Sequence, residues 1–389
     1  MCTDFQIHVE NQGYVSGRSM EFALNLNSKF FFRKAGHKFT QELWGKEFGF
    51  SWTGTYGFVA MNSFDLPIVT DGINTAGLST GTLWLPGSQY QTITDPSKGL
   101  CIDNFAAWIL SSFATCDDVK AALKDNVVEV GASPVVTNML PLHFPVHDSN
   151  GNCIVIEFTG GKVMIYDNPV GTLTNQPEFP WQLNNLRNYT SLSPYDVDEI
   201  TFNGFEVTQT GHGTGLSNIP GDPTPPSRFV RATVMTSFAD PVKTMDEGIN
   251  LAFHVLNTVD IPKGIVAEKP KNGITKQELL EKLPSEVVDL LPEELIAKLP
   301  DDVSSIMPTK DYTQWVVVRD AANKTYSARF YGSQQVRSVN LMELEKSGML
   351  EKLDGLLVPF AHIGHGDMTN EELSNTEQPK SIAELPRVS

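Results

Sequence analysis

The most reactive side chain near the start of the chain is a cysteine directly after the initiator methionine, in MCTDFQIHVENQGYVSGRSMEF. If Met1 is removed, Cys2 carries a thiol nucleophile and an α-amine whose pKa of about 8 is close to working pH. The amine can accept the thiol proton and later protonate a leaving amine. These groups indicate a nucleophile and its base on one residue.

Arg18 and Glu21 could supply the two charges that such a site needs. A cation lowers the pKa of a buried thiol, and Arg is always charged. A carboxylate can orient an α-ammonium group. Residues three apart need not share a strand face, but a turn at Ser19-Met20 would aim both side chains at the N-terminus. The spacing alone also fits two surface charges beside a frayed terminus.

Composition and charge narrow the function classes. The 389 residues are enough for a sizeable core, and the net charge of −17 argues against nucleic acid and anionic membranes as partners. The four cysteines form no CxxC pair, which argues against zinc and a disulfide scaffold. No apolar run has the length of a membrane span, and the N-terminus lacks a basic-then-apolar signal. We therefore predict a cytoplasmic protein with reduced thiols.

The elements that position these residues come in blocks of strands and helices, not in regular βαβ units. Strands are predicted within 2–60, a hairpin over 153–166 turning at Gly160-Gly161, and strands at 312–319 and 325–332. Apolar residues three and four apart predict two helices over 102–125, with Thr115 capping the second, and two more over 226–256. This order predicts an α+β protein built in layers.

A proline repeat interrupts this pattern. Residues 283–308 read LPSEVVDL, LPEELIAK, LPDDVSSI and MP, with each Pro suited to the first position of a short helix. We expect an insertion at about 268–308 that covers an edge or an oligomer interface, with a substrate lid or partner site as the alternative. The remaining boundaries predict one domain over 2–345 and a C-terminal extension over 346–389.

Four separated segments carry a resemblance to a known family. They are MCT with GRSMEF (17–22), TDGINTAGL (70–78), LTNQPEFPWQLNNL (173–186) and GHGTGLSNIPGDPTPPSRFVRA (211–232). Together they resemble the choloylglycine hydrolase family of bile salt hydrolases and penicillin V acylases, which are N-terminal-nucleophile hydrolases. The resemblance runs from residue 2 to about 335. It implies a four-layer αββα sandwich, cleavage of linear amides without metal or cofactor, and a homotetramer.

The resemblance also implies roles for five residues. Cys2 would be the nucleophile, with its α-amine as base, and Arg18 would contact the sulfur. Glu21 stands where the family usually has Asp, so its carboxylate reaches one methylene further. Asn175 would donate to the oxyanion, and Arg228 would stabilise negative charge near the sulfur.

The substrate is less closely defined by the sequence. Bile salt hydrolases usually carry Asn where this chain has Trp84. The second oxyanion donor would then be a backbone N–H near Thr82–Trp84, or the oxyanion hole differs from that of the family. An aromatic residue there resembles the penicillin V acylases of Gram-negative bacteria. We expect a bulky apolar acyl group on a small polar amine: an aryloxyacetyl penicillin, a conjugated bile acid or an N-acyl homoserine lactone. A non-catalytic binder is the alternative. Residues that could line the acyl pocket, although each also suits a core, are Met20, Phe22, Phe58, Thr82 and Trp84.

Overall fold

The structure is a computed structural model, described over residues 1–41, 45–133, 140–267, 277, 310–362 and 365–366. The proline repeat of residues 283–308 lies outside the described residues, so the short helices expected there stay a prediction.

Two of the described helices begin at capping boxes that the sequence shows. Thr115 and Thr244 each form a capping box, with Asp118 and Glu247 respectively, and Thr115 caps the second helix as predicted. None of the described helices combines the length and apolar composition needed to cross a membrane. The helices are α1 (Phe105–Ser112), α2 (Cys116–Lys124), α3 (Phe179–Asn185), α4 (Pro225–Phe238), α5 (Met245–Asn257), α6 (Leu341–Lys346) and α7 (Met349–Leu353).

The strands confirm the predicted hairpin, whose turn residues Gly160 and Gly161 have φ of 59° and 73°. Such positive φ values favour glycine in a tight turn. The strands are β1 (Cys2–Val9), β2 (Gly13–Phe22), β3 (Phe30–Arg33), β4 (Lys38–Phe39), β5 (Trp52–Thr53), β6 (Phe58–Ser63), β7 (Leu66–Asn74), β8 (Ser79–Gly81), β9 (Leu83–Trp84), β10 (Gly99–Cys101), β11 (Glu129–Gly131), β12 (Leu142–His147), β13 (Cys153–Thr159), β14 (Lys162–Asp167), β15 (Ile200–Phe202), β16 (Phe205–Val207), β17 (Val266–Ala267), β18 (Lys310–Asp320), β19 (Thr325–Phe330), β20 (Ser333–Asn340), β21 (Leu357–Val358) and β22 (His365–Gly366).

Two large sheets organise the domain. The first sheet has the order β1-β2-β18-β19-β20-β22, with β17 also paired to β18. The second sheet has the order β14-β13-β12-β8-β7-β6-β3-β21, with β9 also paired to β12. Strands far apart in the chain are neighbours in both sheets, so the sheets bring the N-terminal strand close to residues beyond 310.

The two sheets pack face to face between two helical layers. Helices α4 and α5 cover the outer face of the first sheet, and α1 and α2 cover that of the second. The core between the sheets, called the inter-sheet core, includes Phe30, Met61, Val155, Trp315 and Val317. The core between the second sheet and its helices is called the outer core. This arrangement confirms the predicted α+β, αββα sandwich.

Side-chain alternation along β1 and β2 decides which residues reach the inter-sheet core. Phe5 and Val9 of β1 pack toward α4 and α5, whereas Cys2 packs between the sheets. Because β2 is one continuous strand over Gly13–Phe22, the prediction of a turn at Ser19-Met20 is wrong. Arg18 and Glu21 therefore leave the strand on opposite faces.

The chain beyond residue 345 contributes to the core of the domain. Strand β21 pairs with β3 in the second sheet. Leu350, Leu353 and Val358 are buried in the inter-sheet core. Residues 346–358 of the predicted extension thus pack as part of the sandwich.

Candidate active site

Cys2 begins β1 and lies opposite Met20 on β2. Its side chain is buried between the sheets, and Nη2 of Arg18 lies 3.5 Å from Sγ. The guanidinium is held by two backbone carbonyls, since Nη1 donates to Thr70 at 2.6 Å and Nη2 donates to Thr82 at 2.5 Å. Arg18 can therefore stabilise a thiolate at Cys2 without rearranging.

A buried acid provides the counter-charge for Arg18. Oδ2 of Asp71 lies 3.3 Å from Nη1 of Arg18 and 3.4 Å from Nη1 of Arg319. Its other oxygen accepts a hydrogen bond of 2.8 Å from the Tyr326 hydroxyl. All four side chains are buried, so each charge depends on its partner for compensation.

The same line of charges continues to Asp4 on β1. Its carboxylate pairs with Arg319 through one oxygen and with His147 Nε2 at 2.5 Å through the other. Burial alone would raise the pKa of Asp4, but Arg319 and His147 hold that pKa below its usual 3.8. We call Arg18, Asp71, Arg319, Asp4 and His147 the inter-sheet charge chain.

Asn175 approaches Cys2 from the loop before α3. Its Oδ1 accepts hydrogen bonds from the Cys2 backbone N–H at 2.8 Å and from Nη2 of Arg228 at 2.7 Å. Its Nδ2 donates to the Trp84 carbonyl at 2.8 Å. These three contacts fix the amide group, which has a second N–H for another acceptor.

Arg228 reaches Cys2 from the first turns of α4, on the other side of the first sheet from Arg18. Its Nη1 donates to the Cys2 carbonyl at 2.5 Å and to Oγ1 of Thr3 at 2.6 Å. Its Nε donates to the Pro223 carbonyl at 2.9 Å. Arg228 thus contacts the backbone of Cys2, whereas Arg18 contacts its sulfur.

Glu21 lies on the face of β2 opposite Arg18. Its Oε1 accepts a hydrogen bond of 2.8 Å from Thr313, and its buried Oε2 has no hydrogen-bond partner within the described part of the chain. Burial raises the pKa of Glu21 above its usual 4.5, opposed by the positive charges of Arg228 and the N-terminus. This carboxyl group is placed to hold a positive charge near the start of the chain.

Met1 is present in this structure and lies directly before β1, where it forms hydrogen bonds with the backbone of Glu21 on β2. Its ammonium donates to the Glu21 carbonyl at 2.6 Å and lies 3.7 Å from Asp311. Its carbonyl accepts a hydrogen bond from the Glu21 N–H at 2.8 Å. While Met1 is attached, the nitrogen of Cys2 is an amide and cannot act as a base.

An apolar cavity of about 190 Å³ opens beside Cys2 and Met1. Four of the five residues predicted for the acyl pocket line it: Met20, Phe22, Thr82 and Trp84. The structure does not bring the fifth to it, since Phe58 lies in the outer core. The cavity is also lined by Leu24, Leu26, Phe64, Leu66, Ile68, Val69, Ile102, Leu140 and Leu142.

The backbone near Trp84 offers fewer oxyanion donors than the sequence suggested. The N–H of Thr82 donates to the Thr70 carbonyl at 2.8 Å, so it is already committed. Leu83 pairs with His143 of β12, and because the Leu85 N–H donates to the Pro141 carbonyl, the register directs the Leu83 N–H toward β12 as well. Within the predicted stretch Thr82–Trp84, the N–H of Trp84 stays as the candidate.

Sequence reasoning missed several residues that hold this site. Asp71 lies inside the TDGIN motif, which by itself assigns no role to the acid. Arg319 sits in an apolar strand, where an unexplained buried charge was the available signal. His143 was also missed: its ring contacts the Thr174 carbonyl at 3.0 Å and Glu157 at 3.1 Å, which anchors the backbone next to Asn175.

Known proteins resemble the chain across most of its length. A bile salt hydrolase/transferase of Clostridium perfringens is 32% identical over 271 residues, covering 68% of this chain and 80% of that protein. A penicillin V acylase of Pectobacterium atrosepticum is 27% identical over 290 residues, covering 68% and 70% respectively. The solved penicillin V acylase of Agrobacterium tumefaciens shares the fold, with a TM-score of 0.68, 23% identity, and coverage of 97% of this chain and 98% of that one.

The family model for linear amide C–N hydrolases, choloylglycine hydrolase family, matches residues 2–276. The match begins at the candidate nucleophile and includes every residue predicted to act with it. The chain belongs to the choloylglycine hydrolase family of enzymes that hydrolyse linear amide bonds.

Proposed function

We propose that the mature enzyme begins at Cys2 and cleaves an amide between a bulky apolar acyl group and a small polar amine. The observation that carries this proposal is the position of Sγ, which lies at the wall of the apolar cavity within reach of Arg18. A nucleophile beside an apolar cavity suits an acyl group that is held by burial and attacked at its carbonyl.

The reaction proceeds in two acyl-transfer steps. The α-amine of Cys2 takes the thiol proton, and the thiolate adds to the amide carbonyl carbon. Nδ2 of Asn175 and the N–H of Trp84 donate to the oxyanion. The α-ammonium then protonates the leaving amine as the C–N bond breaks, and water hydrolyses the thioester to the free acid.

Charges on both sides of the sheet assist these steps. Arg18 stabilises the thiolate, and Arg228 holds Asn175 and the Cys2 backbone in place. Removal of Met1 frees the amine, and Glu21 then orients the α-ammonium. The free Oε2 of Glu21 and its electrostatic attraction to the N-terminus support this role.

Three acyl classes are candidates for the substrate: aryloxyacetyl penicillins, conjugated bile acids and N-acyl homoserine lactones. The relatives named as bile salt hydrolase and penicillin V acylase support the first two. The aromatic pair of Trp84 and Phe22, with ring centroids 5.9 Å apart, suits a ring-bearing acyl group. A ligand-binding protein without turnover is the alternative.

We also propose a homotetramer that works in the cytoplasm. The family resemblance supports the tetramer. All four cysteines are buried free thiols, which supports a reducing compartment.

The first test is amide hydrolysis by the wild type and by Cys2→Ala across penicillin V, glycine- and taurine-conjugated bile acids, and acyl homoserine lactones. We expect turnover of at least one substrate by the wild type and none by Cys2→Ala. Mass spectrometry should show the wild-type chain starting at Cys2. A protein that retains Met1, or a Cys2→Ala variant with full activity, would contradict the proposed mechanism.

Asn175→Ala tests the oxyanion hole separately. Removing one such donor typically lowers kcat by about 10²- to 10³-fold. The measurement is kcat on the best substrate, with thermal unfolding to establish that the variant is folded. A folded variant with kcat within a few-fold of the wild type would remove Asn175 from the mechanism.

A further inference from the structure

A second buried acid lines the cavity that receives the acyl group. Asp103 lies in the short turn Ile102–Asn104 that leads into α1, and only 3% of its surface is exposed. It lines the same cavity as Cys2. An ionisable group in an otherwise apolar cavity is costly unless something pairs with it.

Only one of the two carboxyl oxygens of Asp103 has a partner in the described structure. Oδ2 accepts hydrogen bonds from the Ser133 hydroxyl at 2.6 Å and from the Cys101 thiol at 3.5 Å. Oδ1 is buried and has no hydrogen-bond partner among the described residues. A buried acceptor without a donor loses its interaction with water and gains nothing in return.

Two other polar side chains on the cavity wall, Thr70 and Thr82, form hydrogen bonds within the protein. Oγ1 of Thr70 donates to the Met61 carbonyl at 3.0 Å, and Oγ1 of Thr82 donates to the Thr70 carbonyl at 3.2 Å. The free oxygen of Glu21 belongs to the reacting end, where the α-ammonium of Cys2 would meet it. Asp103 therefore offers an acceptor that neither the fold nor the proposed mechanism uses.

Asp103 and the nucleophile reach the cavity from different layers of the fold. Cys2 belongs to the inter-sheet core, whereas Ile102, the neighbour of Asp103, belongs to the outer core. The cavity therefore extends from the reacting carbonyl toward the N-terminal end of α1. An acyl group that is attached at Cys2 and fills the cavity would meet the wall that Ile102 and Asp103 form.

Resting on the proposed function, we infer that Asp103 is a specificity residue whose Oδ1 accepts a hydrogen bond from a hydroxyl group at the distal end of the acyl chain. The preferred substrate is then a hydroxylated apolar acyl amide, not a purely hydrocarbon one. Burial raises the pKa of Asp103 to about 6, so the group is an anionic acceptor at neutral pH. Ionised acceptors form stronger hydrogen bonds than neutral ones.

The test is calorimetric binding of matched free acids to the wild type at about pH 7.5, where neither hydrolysis nor Cys2 chemistry is needed. The probes are ω-hydroxyalkanoic acids and alkanoic acids of equal length, from about six to twelve carbons, chosen to span an apolar cavity of this kind. At the length that reaches Asp103, we expect the hydroxy acid to bind about tenfold more tightly than its partner, since a hydrogen bond to a charged acceptor has that strength.

Asp103→Leu should reverse this preference, binding the alkanoic acid at least as well as the wild type does and losing the gain from the hydroxyl. A variant that was merely misfolded would bind neither acid. If Asp103→Leu does not fold, Asp103→Asn keeps the shape and should reduce the preference by removing the charge. In the wild type, the preference should also fall at about pH 5, where Asp103 is protonated.

Three results would overturn the inference: equal binding of the two acids at every length, no binding of any acid, or an unchanged preference in Asp103→Leu. Amide hydrolysis is scored in a separate assay. Hydrolysis without hydroxyl preference rejects the role of Asp103 alone. Hydroxyl preference without hydrolysis rejects the proposed function and keeps the binding site.

Discussion

The structure contains two pairs of buried carboxyl groups that differ in how their oxygens are paired. In the inter-sheet charge chain, Asp4 and Asp71 each contact at least one arginine. Along the cavity, Glu21 and Asp103 each have one oxygen without a partner in the described residues. The first pair resembles a structural ion network, and the second pair is open to a ligand.

Asp4 and Asp103 have pKa shifts of opposite sign, whereas burial raises the pKa of Asp71 above its usual 3.8 even though Arg319 and Arg18 oppose the shift. Arg319 and His147 overcome the effect of burial and lower the pKa of Asp4. Burial dominates at Asp103 and raises its pKa to about 6. A buried carboxyl group whose pKa is raised in a cavity is a good candidate for contact with substrate, whereas one held low by arginine stabilises the fold.

Arg319→Leu should cause the largest loss of stability, because Arg319 is shared by both acids of the charge chain. Breaking a buried ion pair by removing one partner typically costs about 3–5 kcal/mol. The measurement is the free energy of unfolding by chemical denaturation. The remaining contacts of Asp71 with Arg18 and Tyr326 are too few to compensate fully.

Arg329→Leu is the matched control for Arg319→Leu. Arg329 lies on β19 of the same sheet, is only partly buried, and contacts Asn257 and the ring of Phe253. We expect its loss to cost about 1 kcal/mol or less, as is typical of surface charges. Equal effects of the two substitutions would contradict the structural role assigned to the charge chain.

Glu21→Gln should lower kcat/KM by about 10- to 100-fold, since a charge-assisted hydrogen bond to the α-ammonium would be weakened. In the wild type, Glu21 must be ionised to hold that ammonium. Burial raises its pKa above 4.5, so wild-type activity should fall on the acidic side beginning above that pH. The pH dependence of kcat/KM measures both effects.

Two variants make the Glu21 experiment specific. The acidic limb should be absent in Glu21→Gln, whose activity stays low across the range. Glu21→Asp restores the residue usual in the family and should retain most of the activity. Full activity in Glu21→Gln with an unchanged acidic limb would remove this carboxylate from the mechanism.

The sequence predicted the parts of this site that are close to the N-terminus or carried by motifs. Cys2 and Arg18 lie close together because β1 and β2 form an antiparallel pair. Two strands so close in the chain can be predicted to pair from the local sequence pattern. The prediction of a turn at Ser19-Met20 was wrong because β18 pairs with β2 from Val15 to Phe22 and keeps it extended. That pairing joins strands almost 300 residues apart, so local sequence could not reveal it.

The charge chain and the second acid of the cavity were missed for the same physical reason. Arg319 and Asp71 belong to different sheets, and only the packing of those sheets brings them together. Asp103 stands just before a helix, where an acid is ordinarily favoured by the helix dipole. Its contact with the cavity depends on how the second sheet and α1 pack.

The smallest expected effect is a change in the free energy of unfolding. It distinguishes Asp103, which has an oxygen without a partner, from the arginine-paired Asp4. The pKa of Asp103 is about 6 in the folded state and 3.8 when exposed, so burial penalises the ionised form. The contribution of Asp103 to stability should be most favourable below about pH 4 and become less favourable as pH rises through 6. About two pKa units correspond to roughly 3 kcal/mol at most, so Asp103→Asn should be more stable than the wild type by about 1–3 kcal/mol at pH 7.

Asp4→Asn provides the opposite case in the same pH series of unfolding measurements. Because the pKa of Asp4 is lowered in the folded state, its carboxylate contributes stability above pH 3.8 that is lost as pH falls further. Asp4→Asn should therefore be less stable than the wild type at pH 7. If Asp103→Asn were also less stable there, Asp103 would have a stabilising partner of its own, and the contrast between paired and open acids would fail.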